Sequence, residues 1–308
     1  MTEIILHHFD SSPFAEKVRL ALGIKGLAWR SVEIPLVMPK PDLVALTGGY
    51  RKTPVMQIGA DIYCDTQRIA SELERRYPQP TLFPKQSQAL SLAFSHWSDA
   101  AFFQPGSALS LGTNKDLPEE IVADRSAFFN YLDFTNLPQQ LPHLYSQFRG
   151  HLQLLEDMLS DGRSYLTGES PGWMDILAYF PVFMCRGNIS NAETLLGQLH
   201  ALRAWETRVG EIGYGVKTEL DALEAISIAK HSESTTTAEI TDDAWPGLAA
   251  GDSVTVTPTD YGDIPVAGAL LRLTHSEISI ARTDPRAGNV VVHFPRLGYR
   301  LEMQTRKR

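Results

Sequence analysis

The order of strand-like and helix-like segments in the first 80 residues constrains the fold more than any other feature of the sequence. An apolar strand begins at Ile4, and Ser12 and Pro13 then suit the N-cap and the first position of a helix. Apolar residues recur on one helical face as far as Leu22. The same patterns predict a strand at 29–34, a helical turn at 42–46, a hairpin of 55–58 and 62–64, and a helix capped by Asp65 or Thr66.

The chain as a whole divides into three predicted domains. The order β-α-β-α-β-β-α predicts an α/β domain over residues 1–80, and the proline-rich segment Pro78–Pro84 is typical of a linker. Residues 86–230 predict an all-α domain. The polar segment His231–Asp243 resembles a second linker, and period-2 patterns then predict a small all-β domain over residues 244–308. The predicted helices are 87–103, 121–134, 143–159, 174–185, 192–209 and 218–230, and the predicted strands of the last domain are 253–257, 269–273, 277–281 and 290–294.

Composition narrows the function classes. With 36 acidic against 28 basic residues the formal charge is −8, and no basic stripe is present, so we expect no nucleic-acid partner. The basic tail Arg306–Arg308 is expected to be solvated. Apolar runs are too short for a membrane span, and the N-terminus has no signal-peptide pattern. The two cysteines, Cys64 and Cys185, form no metal-binding spacing, which favours a reducing, cytoplasmic setting.

Three polar features of the first domain carry the chemistry. The segment Ser12–Arg19 (SPFAEKVR) places a hydroxyl at the start of the first helix. A helix N-terminus favours an anion, whether phosphate, carboxylate or thiolate. Thr53 and Pro54 open a later strand, and the acid–hydroxyl pair Asp65 and Thr66 begins the next helix. Such a pair suits a ligand that has both an ammonium and a carboxylate.

In this register the sequence resembles the glutathione transferase superfamily. The motif SPFAEKVR is closest to the omega-like pattern C-P-F-A-x-[KR]-x-R, with Ser12 in place of the cysteine, and it is similar to the zeta and theta classes in its use of serine. The implied fold is a thioredoxin-like α/β domain, residues 1–80, followed by an all-α domain, residues 86–230. The small all-β domain lies outside the common two-domain pattern.

The resemblance also implies the ligand and the residues that bind it. Glutathione would be the co-substrate, and Ser12 would stabilise its thiolate. The implied glutathione-binding residues are Phe14, Lys40, Thr53, Pro54, Asp65 and Thr66. Thr53 would offer its backbone to the cysteinyl part, with Pro54 in the cis form. Asp65 and Thr66 would hold the γ-glutamyl end, and Lys40 the glycyl end.

Each of these residues has a plainer alternative. Ser12 alone would be read as an N-cap, and Ser11 is a rival hydroxyl for the thiolate. Lys40 could be a surface lysine, and Arg19 is expected in a structural ion pair. His7 and its neighbour His8 point to opposite faces of a strand, so we expect structural roles and no metal site.

The second substrate is predicted only as a small hydrophobic electrophile. Phe102 and Phe103 lie on the first helix of the all-α domain, where they either line the electrophile pocket or fill the core. The superfamily also implies a homodimer. Its helical domain often has a Ser/Thr-x-x-Asp capping box, but here Gly172 stands at the cap position before Asp175.

Two function classes follow. The first is a transferase that uses glutathione for conjugation, dehalogenation or isomerisation, because serine can stabilise a thiolate but cannot form a mixed disulfide. The second is a non-catalytic glutathione-binding or interaction module that works through the C-terminal β domain. A serine hydrolase is excluded: the G-x-S-x-G pattern at 168–172 has Pro171 after the serine, and proline has no N–H for an oxyanion hole.

Overall fold

The computed structural model describes residues 3–241 and 247–304. The predicted start of the all-β domain at residue 244, the end of the predicted linker (242–243) and the basic tail Arg306–Arg308 lie outside these residues. In the described part the strands are β1 Ile5–His8, β2 Ala28–Glu33, β3 Val55–Ile58, β4 Asp61–Cys64, β5 Val216–Glu219, β6 Glu239–Ile240, β7 Ser253–Pro258, β8 Val266–Leu273, β9 Glu277–Asp284, β10 Gly288–Pro295 and β11 Tyr299–Met303.

The first helix follows β1 and has a side-chain cap at its N-terminus. The helices are α1 Pro13–Ile24, α2 Pro41–Thr47, α3 Thr66–Arg76, α4 Gln88–His96, α5 Phe103–Thr113, α6 Glu119–Phe128, α7 Leu137–Leu159, α8 Trp173–Asn188, α9 Ala192–Leu196, α10 His200–Gly210 and α11 Ala222–Lys230, with a π-helical turn Trp97–Phe102 between α4 and α5 and a 3₁₀ turn at Pro84–Gln86.

The chain forms two compact units. The first, called the sheet unit below, comprises Met1–Asp10, Ala28–Glu72 and Lys217–Arg308. The second, called the helical unit, comprises Ser11–Leu27 and Leu73–Val216. The predicted boundaries 1–80, 86–230 and 244–308 stay predictions.

The sheet unit has the strand pattern of a thioredoxin-like domain at one side. β1 pairs with β2 in parallel and with β3 antiparallel, and β3 forms an antiparallel hairpin with β4. The C-terminal strands continue the same sheet, because β10 pairs in parallel with β4 through Val292 and Ile62. The full strand order is β11-β7-β8-β9-β10-β4-β3-β1-β2-β5, with β6 beside β8.

One hydrophobic cluster fills the sheet unit. It includes Ile5 and Ile62 from the N-terminal strands together with Val292 and Phe294 from β10, all at most 2% exposed. Helix α11 adds Ala225 and Ile226 to the same cluster. The C-terminal strands therefore share their core with the thioredoxin-like strands.

The helical unit has its own core. Aromatic and aliphatic side chains of α5, α7, α8 and α10 meet there, with Phe148, Phe180 and Trp205 completely buried. The Asp175 carboxylate lies inside this core and accepts hydrogen bonds from the Leu166 N–H at 2.8 Å and from the Trp205 Nε1–H at 2.8 Å. Burial raises the pKa of Asp175, and these N–H donors oppose that shift.

The fold class is confirmed: a thioredoxin-like α/β part, a helical part and a β-rich C-terminal region. Individual elements differ from the prediction. Residues 216–219 form strand β5, so the last predicted helix begins only at Ala222. The predicted helix 192–209 is two helices, α9 and α10. Helix α7 begins at Leu137, with Pro138 in its first turn, where the missing N–H has no cost, and it continues through an internal proline, Pro142.

Candidate functional site

Ser12 is the N-cap of α1. Its side chain is 3% exposed, and its Oγ accepts a hydrogen bond from the Ala15 N–H at 3.1 Å. Pro13 occupies the first helical turn, where its missing N–H has no cost. The capping contact uses the Ser12 oxygen as acceptor, so the hydroxyl proton remains to be donated to an anion. Ser11 is exposed and precedes the cap.

The charged residues that follow Ser12 on α1 are buried. The Arg19 Nη2 lies 2.6 Å from the Glu16 Oε2, which confirms the predicted ion pair. Lys17 is fully buried, with its Nζ 2.5 Å from the Asp99 Oδ1 and 4.0 Å from the centroid of the Phe180 ring. Buried charges of this kind persist only when they are paired, so these contacts fix the helix whose N-terminus Ser12 occupies.

Thr53 and Pro54 lie at the start of β3 in the sheet unit. The Thr53–Pro54 peptide is cis, as expected. The Lys40 Nζ donates to the Thr53 Oγ1 at 3.4 Å and lies 5.5 Å from the centroid of the Phe9 ring. Lys40 is only 3% exposed, so its alternative as a plain surface lysine is wrong. The structure thus brings Lys40 and Thr53 together.

Asp65 has an unusual backbone for an acidic residue. Its φ is 77°, in the left-handed region, where a residue other than glycine costs roughly 1–3 kcal/mol. The Asp65 Oδ1 accepts the Gln67 N–H at 2.9 Å, in the first turn of α3. Thr66 is the first residue of that helix and is 4% exposed. The turn presents a carboxylate and a hydroxyl at one helix N-terminus, as the sequence predicts.

Tyr299 contacts the same carboxylate and was missed by the sequence reasoning. Its hydroxyl donates to the Asp65 Oδ2 at 3.1 Å. Tyr299 begins β11 and Asp65 follows β4, so the contact depends on the pairing of distant strands. No local spacing signals such a pair.

Phe102 and Phe103 lie in the aromatic core of the helical unit. Phe102 is fully buried, and its ring centroid is 5.0 Å from that of Phe148. Phe103 is 4% exposed and packs edge-on against Phe14, with 4.8 Å between the ring centroids. The structure therefore joins Phe14 to Phe103, and their predicted roles toward glutathione and the electrophile stay predictions.

A cleft of about 230 Å³ lies within the helical unit, and its lining includes Ala101 and Gln104, which flank Phe102 and Phe103 in the chain. Its wall includes Gln104, Tyr131, Asp133 and His143. The Tyr131 hydroxyl is hydrogen-bonded to the Ser107 Oγ at 2.9 Å. This volume suits a small molecule, and the wall is more polar than a purely hydrophobic electrophile requires.

The two N-terminal histidines have structural partners. The His7 Nε2 lies 2.9 Å from the Gln57 Oε1, and the His8 Nε2 lies 3.0 Å from the Ser31 Oγ. Cys64 and Cys185 are free, buried thiols, and burial raises the pKa of both. Among residues 3–241 and 247–304, no group of three or more metal-ligating side chains is placed to hold a metal ion.

The predicted site residues fall in both units. Ser12, Phe14, Phe102 and Phe103 belong to the helical unit, and Lys40, Thr53, Pro54, Asp65 and Thr66 belong to the sheet unit. Each set keeps the local geometry that its motif implies: a capped helix N-terminus in the first, and a cis-proline strand start with an acid-capped helix in the second.

Comparison with known proteins decides the family. A sequence model of the glutathione S-transferase N-terminal domain matches residues 6–81. A GST-like protein from Pseudomonas syringae is 35% identical in sequence to this chain, and its crystal structure superposes with a TM-score of 0.79. The match covers 99% of this chain and 100% of the P. syringae chain. The chain belongs to the glutathione transferase superfamily.

Two other relatives match a smaller part of this chain. A probable glutathione S-transferase from Solanum tuberosum is 28% identical over 93 residues, and the chain spans only 43% of the length of this curated relative. The Tau class glutathione S-transferase of the mango Mangifera indica is 17% identical, with a TM-score of 0.52, and covers 67% of this chain with 88% of its own. The mango enzyme shows the common fold, whereas the P. syringae protein also matches the C-terminal strands. No helix in the described part of this transferase-family chain has the length and apolar character needed to cross a membrane.

Proposed function

We propose that this protein binds glutathione and stabilises its thiolate through the Ser12 hydroxyl. The observation that carries the proposal is the geometry of Ser12: a buried N-cap whose oxygen accepts the Ala15 N–H while its proton remains to be donated. A free thiol has a pKa of about 8.5, so only a few per cent is ionised at neutral pH. A hydrogen bond to the charged sulfur contributes about 1.5–3 kcal/mol, and the helix N-terminus about 0.3–1 kcal/mol. Together these lower a thiol pKa by about two units.

The remaining contacts to glutathione follow from the sheet unit and from Phe14. Thr53, ahead of the cis Pro54, offers its backbone N–H and carbonyl to the cysteinyl part. Asp65 and Thr66 take the ammonium and carboxylate of the γ-glutamyl end. Lys40, held beside Thr53, supplies a cation for the glycyl carboxylate.

The reaction we propose is transfer of the glutathione sulfur to a small electrophile, in conjugation, dehalogenation or glutathione-dependent isomerisation. In conjugation or dehalogenation by substitution, the thiolate sulfur attacks an electrophilic carbon and the leaving group departs with the bonding electron pair. In conjugate addition, the sulfur adds to a carbon–carbon double bond and the resulting carbanion takes up a proton. In isomerisation, the sulfur adds to the double bond, the resulting single bond rotates, and the thiolate is expelled, so that glutathione is regenerated. Ser12 donates a hydrogen bond throughout and forms no bond to sulfur, so disulfide exchange at this residue has no route. Phe102 and Phe103 are the residues that we assign to the electrophile pocket. A cytoplasmic setting and a homodimer complete the proposal.

The alternative, a non-catalytic module that works through the C-terminal strands, has less support. Those strands share a sheet and a hydrophobic core with the thioredoxin-like strands. Their presence is therefore accounted for by the fold and does not require an independent binding role. The buried Ser12 cap favours the enzyme.

The test compares turnover in two serine variants. Wild-type protein, Ser12→Ala and Ser11→Ala are assayed with glutathione against an aryl halide, an alkyl halide and an α,β-unsaturated carbonyl compound. We expect turnover of at least one class, a loss of about 100-fold in kcat for Ser12→Ala, equivalent to about 3 kcal/mol, and little change for the exposed Ser11→Ala. Equal activities in all three proteins would contradict the role of Ser12, and glutathione binding without turnover would favour the module.

A further inference from the structure

The C-terminal strands include a tyrosine, Tyr299, whose hydroxyl donates a hydrogen bond to Asp65, a residue that we predict to bind glutathione. Tyr299 is 6% exposed, and its hydroxyl lies 3.1 Å from the Asp65 Oδ2 and 3.5 Å from the Tyr50 hydroxyl oxygen. The single Tyr299 proton goes to the carboxylate, because a charged acceptor binds it more strongly and more closely. The Tyr50 hydroxyl oxygen is a second, more distant acceptor for the same proton. Burial raises the pKa of Tyr299 well above its usual value, and the nearby Asp65 charge raises it further. The hydroxyl therefore keeps the proton that it donates.

The two oxygens of Asp65 have separate partners. Oδ1 accepts the Gln67 N–H at 2.9 Å, and Oδ2 accepts the Tyr299 hydroxyl at 3.1 Å. Each oxygen of a carboxylate can accept more than one hydrogen bond, so the Tyr299 contact does not by itself prevent Asp65 from accepting a ligand ammonium. With one donor on each oxygen, the plane of the carboxylate is fixed even though the backbone at Asp65 is in the left-handed region.

Other residues of the C-terminal region hold the segment that leads to Thr53. The Arg282 Nη1 donates to the Ala45 carbonyl oxygen at 2.8 Å, and its guanidinium lies so close to Gly48 that an added Cβ there would be 2.5 Å from the Nε. The Lys52 Nζ lies 2.5 Å from the Asp260 Oδ1. The region thus contacts the chain beside Thr53, and Tyr299 contacts the side chain of Asp65, a predicted glutathione-binding residue.

We propose that Tyr299 is a positioning residue for glutathione: its hydroxyl holds the Asp65 carboxylate in the orientation that receives the ammonium of the γ-glutamyl group. This inference rests on the proposed function, because it assigns Asp65 to that ammonium. It gives the C-terminal strands a role in ligand affinity. Tyr299 acts through Asp65 and makes no contact with the reacting sulfur.

The proposal predicts which ligand group becomes sensitive to Tyr299. In Tyr299→Phe the ring stays and the hydroxyl is lost, so the Asp65 Oδ2 loses the hydrogen bond from Tyr299 that orients it. We expect the Kd for glutathione to rise about tenfold, the size of a lost hydrogen bond to a charged group. An analogue in which a glutaryl group replaces the γ-glutamyl group has no ammonium. Its Kd should be the same for wild type and Tyr299→Phe.

The experiment is a double-mutant cycle by isothermal titration calorimetry. Wild type, Tyr299→Phe, Asp65→Asn and the double variant are titrated with glutathione and with the glutaryl analogue. The matched control is Tyr63→Phe, which removes a buried tyrosine hydroxyl that donates to another carboxylate, the Glu72 Oε1 at 3.1 Å. We expect Tyr299→Phe to weaken glutathione binding in the wild-type background and not in Asp65→Asn, and Tyr63→Phe to leave it unchanged.

Steady-state kinetics give a second readout. The KM for glutathione should rise in Tyr299→Phe while kcat and the KM for the electrophile stay as in wild type, because a structural disturbance would move all three. Equal weakening of both ligands, or the same loss in the Asp65→Asn background, would overturn the role of Tyr299 alone. Absence of glutathione binding by the wild type would overturn the proposed function as well, so the two failures are distinguishable.

Discussion

His7 is a buried histidine that the sheet unit holds in its neutral form, and this makes the stability of the unit depend on pH. The residue is 2% exposed on β1, and its Nε2 faces the Gln57 Oε1 at 2.9 Å. The Gln57 amide nitrogen donates to the carbonyl oxygens of Gly59 at 3.1 Å and Ala225 at 2.8 Å. These contacts fix the amide so that its oxygen faces His7, and the hydrogen-bonding pattern therefore assigns the ring proton to Nε2.

The size and sign of the effect follow from the pKa. Burial lowers the pKa of His7 from 6.5 to about 4, although the Gln57 hydrogen bond opposes the shift. The unfolded chain binds a proton at higher pH than the folded chain does. The stabilisation is therefore complete above pH 6.5 and is lost as the pH falls toward 4. Between pH 8 and pH 5 the loss amounts to about 2 kcal/mol.

The assay is urea unfolding of the wild type and His7→Gln at pH 8 and pH 5, followed by circular dichroism. Hydrogen exchange of peptides that cover β1 and β3 reports the opening of the sheet unit separately. His7→Gln removes the titration, so its free energy of unfolding should fall about 2 kcal/mol less than that of the wild type between the two pH values. The exposed His200→Gln is the control and should follow the wild type. If the free energies of unfolding of the wild type and His7→Gln fell by the same amount between pH 8 and pH 5, His7 would not be the source of the pH dependence.

Two further predictions concern buried packing and charge. Burial raises the pKa of Glu277, but the His293 hydrogen bond reverses this and brings it to about 2. The Glu277 carboxylate therefore stabilises the fold above pH 4.5, and this stabilisation is lost toward pH 2. In an acid titration, Glu277→Gln should be less stable than the wild type at pH 7, and the difference should be much smaller at pH 3. Gly172→Ser should lower the free energy of unfolding by about 1–3 kcal/mol, because the added Cβ would lie 2.6 Å from the Pro84 Cδ. The control Gly150→Ser has open space at the Cβ and should not lower it. Thermal unfolding measures both.

The parts of the fold set by short-range patterns were predictable from the sequence. The Ser12 cap and Pro13 start α1 where helix-capping chemistry places it. The hairpin formed by β3 and β4 follows from two short apolar runs around Gly59. The cis Pro54 came from the family resemblance, and no local physical rule would have given it.

Other features depend on contacts between distant segments, which local patterns do not encode. The parallel pairing of β4 with β10 joins segments separated by more than two hundred residues, and the sequence predicted the C-terminal strands as a separate small domain. The Tyr299–Asp65 contact depends on that pairing. The sequence leaves a surface position open for Lys40, because its burial and its contact with the Phe9 ring are tertiary properties.

The incomplete capping box also has a tertiary explanation. Asp175 accepts the Gly172 N–H at 3.0 Å, as in a complete box. A hydroxyl residue does not fit at position 172, because Pro84 and the Leu82 carbonyl oxygen occupy the space of its Cβ. The Trp173 N–H donates to the same Leu82 carbonyl at 2.6 Å, so a backbone contact supplements the side-chain cap.

An ultraviolet difference titration shows whether Ser12 stabilises the thiolate of bound glutathione. The three proteins compared are wild type, Ser12→Ala and Ser11→Ala. Each is saturated with reduced glutathione, and the ultraviolet absorbance of the thiolate is followed against pH. In the wild type we expect the thiolate band to appear about two pH units below that of free glutathione. The band should be retained in Ser11→Ala and move back toward the free value in Ser12→Ala. A bound thiol that ionises at the same pH in all three proteins would contradict this role of Ser12.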